Sequence, residues 1–510
     1  MPPVSSTASG YYCVAPVDGD DDGTPSPKPN KTEDDASILA RLEGILKASI
    51  EALQSDEKKH SSTLTKDDTA HLARLILSSM DTPGRVYHSM GHVFEISKPM
   101  KDPVLLLSAL FHDVIYYSID KSFSEEQAKA LGSTLQRTPI TGEAGSDQPL
   151  SLATNLDDQP LVGMVVRLYG FDLGATLPKL GLNEFLSAVI GVNVLSPWLD
   201  TPELMQIATC IEATIPFRPT VDGKSPMDRL YDRLKLVCPD QPEEWLVDTV
   251  RMAASTANCD LCSFDSDDRK FFMDSSWKLI PEFRPVVLRE DCCLKEYHDE
   301  MLALEGRTKF LRASVPKIFQ SFRQVPSDEE MASKQSKTYE NLDMIMEYAH
   351  MRMLQLMVLV DFVRAIGEDP ASIKLRPLLS MGLPVLEAGA YEIPPPPAGG
   401  PTSSLTEEQQ DEIRTWLVEG RGLDFSWDPS RSPLAAYLYD RLGGPSGVYA
   451  AVEVGKQQRE QEKVTPADDT DFDLLKFLPK DAVVTIASCL GNVLPEYVER
   501  FQQVPEMLCL

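Results

Sequence analysis

An all-α protein is predicted by two features of the sequence. Apolar residues recur at helical spacing in segment after segment, and the strict alternation expected of half-buried strands is scarce. A third feature sets the scale: 510 residues at 42% hydrophobic content can fill at least one large core and hold two to four domains.

In chain order, residues 1–37 come first, rich in Pro, Ser, Gly and Asp and containing the run Asp18-Gly-Asp-Asp-Asp22. They offer too little apolar surface to offset the entropy of ordering and read as a disordered acidic tail. Helical spacing begins with Ile38-Leu-Ala-Arg-Leu-Glu-Gly-Ile-Leu and returns at His71-Leu-Ala-Arg-Leu-Ile-Leu, where Asp67 and Asp68 stand as N-cap candidates. The segment Val104-Leu-Leu-Leu-Ser-Ala-Leu-Phe111 is apolar all round, the mark of a helix buried in a core. Residues 137–160, with Thr138-Pro139 and Asn155-Leu-Asp-Asp-Gln-Pro160, read as a polar loop inserted into the domain.

Helical patterns resume at Asn183-Glu-Phe-Leu-Ser-Ala-Val-Ile190, at Glu203 to Glu212 and from Glu243 to Cys262. Residues 339–366 form a long helical pattern carrying Met344, Met346, Met351, Met353 and Met357, a stripe that suits adaptable core packing or a binding groove. Pro394-Pro-Pro-Pro-Ala-Gly-Gly-Pro401 marks a linker over 391–405. The expected organisation is a tail (1–37), a helical domain (38–390), the linker and a small C-terminal helical module (406–510) that could carry a protein partner. Gly443-Gly-Pro-Ser-Gly447 lacks the Lys-Ser/Thr of a P-loop and reads as a turn.

A formal charge of −29 argues against general binding to nucleic acid or to an anionic membrane. No apolar run reaches membrane-spanning length, and the N-terminus lacks a signal-peptide pattern. Nine unevenly spaced cysteines do not form a disulfide framework, which points to a cytoplasmic or nuclear protein with reduced thiols.

Chemistry concentrates in one place. Three of the seven histidines lie in the 25 residues from His88 to His112, within the phrases Arg85-Val-Tyr-His-Ser-Met-Gly-His92 and Ala109-Leu-Phe-His-Asp113. His88 and His92, at i and i+4, would share one face of a helix. The zinc-protease reading of that spacing fails because Ser89 stands where the general-base Glu should be. An imidazole and a carboxylate at His112-Asp113, ending a buried helix, are costly to bury unless paired or coordinated. A distant carboxylate could complete a metal site, and Asp248, Asp260, Asp265, Asp267 and Asp268 are all candidates.

These motifs resemble the HD superfamily of metal-dependent phosphohydrolases, most closely the branch with R-x-Y-H-x-x-x-H and A-x-x-H-D-x-x-Y phrases, here Arg85 to His92 and Ala109 to Tyr116. Glu305-Gly-Arg307 with Phe310-Leu311 resembles the closing helices of the same branch, so the likeness runs from about residue 70 to 325. The resemblance implies an HD-type helical bundle with His92, His112 and Asp113 as metal ligands and His88 as proton donor. It selects Asp260, in Ala257-Asn-Cys-Asp260-Leu, as the last ligand. It also implies manganese, iron, zinc, cobalt or magnesium as the cofactor, and a nucleotide-like phosphomonoester or phosphodiester, attacked by a metal-activated water, as the small-molecule substrate.

Glu125 and Glu126 match acidic positions near the family's site, although acidic residues opening a helix are also ordinary dipole placement. Arg85 suits a bidentate phosphate contact or an exposed surface position equally. Cys259 and Cys262 form a lone C-x-x-C with no second pair, which favours buried thiols over a zinc or redox site. The competing functional class is a regulatory or scaffold protein whose HD core binds metal without turnover.

Overall fold

The computed structural model describes residues 34–54, 63–141, 149–383, 403–462 and 472–509. Among them the fold is all-α, with isolated β-bridges and no strand. Most of the expected tail, the core of the 137–160 insertion and most of the 391–405 linker lie outside the described residues. The chain forms two compact units, 1–265 with 314–337 and 266–313 with 338–510.

Unit 1 contains α1 (Asp35–Leu53), α2 (Lys66–Met80), α3 (Met90–Ser97), α4 (Pro103–Phe111), α5 (Tyr117–Asp120), α6 (Glu125–Leu131), α7 (Pro160–Tyr169), α8 (Leu182–Leu195), α9 (Thr201–Ala213), α10 (Pro226–Val237) and α11 (Glu243–Asp260). α1 begins at Asp35, inside the stretch assigned to the tail, because the Asp34 side chain caps it by accepting from the Ser37 N–H. The cap of α2 is Thr65, one turn ahead of the expected aspartates. Asp68 completes a capping box by accepting from the Thr65 N–H at 2.9 Å.

The hub of this unit is α4, opened by Asp102 as N-cap and Pro103 in its first turn. Its buried residues meet α1, α3, α8, α9 and α11, so it has no solvent face to speak of. Leu107, Leu110 and Phe111 are fully buried, each contributing about 1.5–3 kcal/mol of apolar transfer. Gly191 of α8 packs against Phe111, where a Cβ would stand in ordinary contact at 3.5 Å.

The polar insertion is anchored at its flanks. Leu150, Leu152 and Leu156 are buried in the core, and the bridges Leu135 to Leu152 and Ser151 to Thr176 tie the flank back. Residues 314–337 join unit 1 through Asn258, whose amide exchanges two hydrogen bonds with the Gln320 backbone at 2.7 and 2.8 Å. The salt bridge of Lys334 with Asp265 reinforces this tie at 2.6 Å.

Unit 2 is built on α12 (Arg269–Phe283), α13 (Leu294–Ile318) and α14 (Asp328–Ala365), the last two of which extend into the residues of unit 1. It continues with α15 (Leu375–Leu379), α16 (Glu407–Glu419), α17 (Pro433–Arg441), α18 (Pro445–Glu462), α19 (Asp473–Phe477), α20 (Lys480–Val493) and α21 (Val498–Met507). The methionine stripe is core: Met344, Met351, Met353 and Met357 are each at most 1% exposed.

The described residues of 406–510 are mainly helical as expected, but they belong to unit 2 and do not form a unit of their own. Asp428 is the physical reason. Its buried carboxylate accepts from Trp277 Nε1 of α12 at 2.8 Å, pairs with Arg352 of α14 and lies 3.1 Å from Arg421. Gly443 and Gly444, both at positive φ, form the turn between α17 and α18, whereas Pro445, Ser446 and Gly447 of the expected turn already open α18.

Candidate metal centre

Three elements of unit 1 deliver the central residues. His92 lies on α3, His112 is the C-cap of α4, and Asp260 is the last residue of α11. His92 Nε2 lies 3.0 Å from Asp260 Oδ1, and His112 Nε2 lies 3.4 Å from the same oxygen. The three donor atoms are all within 4.8 Å of one another, the one such group of metal-binding side chains among the described residues. Two donors about 2.1 Å from a common ion stand roughly 3.0 Å apart at a right angle and about 3.4 Å apart in a tetrahedron, so these spacings fit a metal's ligand shell.

The protonation of His112 sharpens the fit. Its Nδ1–H donates to the Ala109 carbonyl at 2.8 Å, which leaves Nε2 to carry the lone pair in the neutral ring. That buried Nε2 faces two acceptors, Asp113 Oδ2 at 2.9 Å and Asp260 Oδ1 at 3.4 Å. Although close, the His112 and Asp113 atoms are not aligned for a hydrogen bond, and both stand without a hydrogen-bond partner. Such a gathering of lone pairs requires a cation, either a proton or a metal ion.

The electrostatics agree. Burial alone would lower the His112 pKa, but the charges of Asp113 and Asp260 raise it well above its ordinary value. Burial works to raise Asp260, yet contacts with His112 and His92 hold its carboxyl far below the usual range. Asp113 is likewise held low against its burial, by the His112 and His88 charges.

The structure separates the remaining expected site residues. His88 does not share a helix with His92, because α3 starts at Met90 and His88 precedes the N-cap Ser89. Its ring nevertheless stays 5.9 Å from that of His92 and packs at 4.2 Å against Tyr116. Asp113 touches His112 but falls outside the group of three mutually close donors, since the chain has already left α4. Among the candidate carboxylates only Asp260 reaches the histidines. Asp265 is held by Lys334, Asp268 caps α12, and Asp248 is an exposed partner of Arg251.

Glu125 and Glu126 are both exposed on the first turn of α6, where their charges complement the helix dipole, and neither belongs to the group of three close donors. Cys259 and Cys262 are free thiols packed with the small apolar cluster of Ile96, Met100 and Ala109, and burial pushes Cys262 up to about 12.

Arg85 is neither an exposed arginine nor an open phosphate clamp. Its side chain is fully buried, Nε and Nη2 grip Asp120, and Nη1 donates to the Asp113 carbonyl at 2.6 Å. Two further side chains fix the same turn. Gln127 Nε2 donates to the Val114 carbonyl at 2.8 Å, and Ser187 Oγ accepts from the Ile115 N–H at 3.0 Å. Residues 113–115 are thus held by three separate elements, the kind of support that keeps a metal site in register. Arg85→Ala is expected to lower the melting temperature and weaken metal binding together, at a cost of about 3 kcal/mol, because it breaks the ion pair of the part-buried Asp120 and strands the Asp113 carbonyl. Thermal melting beside a KM measurement decides the point, since a substrate clamp would raise KM with stability unchanged.

Glu184, in the first turn of α8, is a residue the sequence reading missed. Burial pushes its carboxyl up to about 7, and the Asp113 and Asp260 charges add to that shift. In the unfolded chain the same group ionises near 4.5, so folding is penalised progressively as pH rises from 4.5 to 7 and by a constant amount above. Metal-free Glu184→Gln is therefore expected to be more stable than the parent at pH 8 and equal to it below pH 4, as read by urea unfolding at both values.

Compared with protein-family models, with curated proteins and with solved structures, the chain matches none.

Proposed function

We propose that unit 1 is a metal-dependent hydrolase of phosphomonoesters or phosphodiesters, acting on a nucleotide-like small molecule. The observation that carries the reading is the buried His112 Nε2, whose lone pair faces two carboxylates beside His92 and so calls for a cation. His92, His112 and Asp260 would hold a divalent ion, with Asp113 beside them, and nitrogen with oxygen donors suit manganese, iron, zinc or cobalt better than magnesium. Such an ion would acidify a water molecule and offset charge on the phosphoryl oxygens.

The chain's own residues supply the rest. His88, oriented by its packing against Tyr116, is the proton donor to the leaving oxygen. Glu184, whose carboxyl burial pushes up to about 7, is near enough for the Asp113 and Asp260 charges to act on it. Arg85, Gln127 and Ser187 keep the turn after His112 from shifting. The motif phrases Arg85 to His92 and Ala109 to Tyr116 support the same reaction class through their resemblance to HD phosphohydrolases. The reading places the protein in the cytoplasm or nucleus, where free thiols such as Cys210 and Cys259 persist.

The test is a panel of nucleotides, p-nitrophenyl phosphate and bis-p-nitrophenyl phosphate, incubated with the full chain and manganese. Manganese-dependent release of product from at least one ester is expected, with loss on adding EDTA. Bound metal with no turnover on any ester would instead favour a regulatory protein.

A further inference from the structure

Unit 2 contains a cavity of about 500 Å³, a volume that accommodates a small molecule. It lies between the start of α13, the end of α14 and the last turns of α18, and its lining departs from the character of the chain. The sequence holds 78 acidic residues against 49 basic ones, yet four basic side chains, Lys295, Arg364, Lys456 and Arg459, meet three acidic ones at the cavity among the described residues.

Carboxylates position several of these cations. Lys295 Nζ lies 2.7 Å from Asp299, Lys456 lies 2.9 Å from Glu305, and Arg459 lies 3.6 Å from Asp361. The contact to Asp299 uses one of the three N–H donors of Lys295, whose side chain is more than half exposed.

His298 adds a second kind of group. It is 3% exposed, and its Nδ1–H donates to Asp299 at 3.3 Å. That bond leaves Nε2 as a buried acceptor with no hydrogen-bond partner in the protein, an arrangement that ordinarily signals a missing donor. Burial and the nearby Arg459 and Arg364 charges keep the ring in its neutral form. Met357 and Val360 supply an apolar wall on which a ring could rest.

We propose that this cavity binds a phosphorylated small molecule with a ring, the chemistry of a nucleoside phosphate. Lys295, Arg364, Lys456 and Arg459 meet the phosphates, the apolar wall meets the ring, and His298 accepts from a ligand N–H or O–H. The site belongs wholly to unit 2 and does not depend on the hydrolase reading of unit 1.

The experiment is calorimetric titration of the full chain with ADP and with inorganic pyrophosphate, in EDTA so that no divalent ion recruits either probe. Saturable binding of ADP is expected, weaker at high salt and weakened at least tenfold by Arg459→Ala. Lys295→Ala, a change at a half-exposed position that leaves the core intact, is expected to weaken binding about fivefold, as loss of one charge-assisted contact would. Absence of saturable binding by both probes, or binding indifferent to both substitutions, would overturn the proposal.

Discussion

His112→Ala is expected to lower phosphate-ester hydrolysis by about a thousandfold, since a bound cation is worth several kcal/mol to the transition state and each 1.4 kcal/mol is about tenfold in rate. The substitution removes the one nitrogen that both Asp113 and Asp260 face. It also takes from Asp113 and the part-buried Asp260 the His112 charge that helps to hold both low, so both should titrate upward and the metal-free variant should lose stability that their lowered values give the parent above the ordinary carboxylate range. His88→Ala provides the contrast. His88 lies beside the three-donor group and not within it, so this variant should keep its metal while turnover falls by roughly 10²- to 10⁴-fold, the usual contribution of a general acid. Parallel metal analysis and initial rates separate the two roles.

Asp428→Ala should have the largest effect on stability. The Asp428, Arg352 and Arg421 side chains are fully buried, and the carboxylate is the anion shared by both guanidinium groups. Removing it strands two buried cations and the Trp277 indole N–H, at a cost of at least about 3–5 kcal/mol, the range for breaking one buried ion pair. Replacing the partners together with apolar residues of similar size should recover much of that loss, because the penalty comes from the unpaired charges. Urea unfolding followed by tryptophan fluorescence reads it well, as Trp277, Trp416 and Trp427 all belong to unit 2. A shift of the midpoint confined to the transition of that unit is the expected result.

Much of the fold was legible because helical spacing is a local property. The helices over 35–53, 66–80, 182–195, 201–213 and 243–260 fall where apolar periodicity places them, and the long one expected over 339–366 is present but starts already at Asp328. Boundaries between compact units are a different matter, since they depend on which surfaces meet. The proline-rich stretch at 394–401 suggests a break, yet Asp428 and Arg421 belong with Trp277 and Arg352. A buried aspartate that gathers two arginines cannot be told from a surface aspartate in the one-dimensional text.

The centre shows the same division. His92 and His112 stand out in their motifs, while Asp260 is picked from five carboxylates only by the resemblance; the fold brings the three donor atoms together. Arg85 was misread because its partners, Asp120 and the Asp113 carbonyl, lie 35 and 28 residues away. Glu184 was missed because an acidic residue in the first turn of an apolar helix looks like dipole placement; only the packing of α8 against α4 brings it within reach of the Asp113 and Asp260 charges. Glu125 and Glu126 carry the same local signal and stand exposed on the first turn of α6.

The most direct test of the central claim is the metal content of the purified full chain after manganese loading and dialysis, measured by inductively coupled plasma mass spectrometry beside His112→Ala and Asp260→Ala. The parent should retain divalent metal, and both variants should lose nearly all of it. Equal metal content in the three proteins, or none in the parent, would contradict a metal centre at His92, His112 and Asp260.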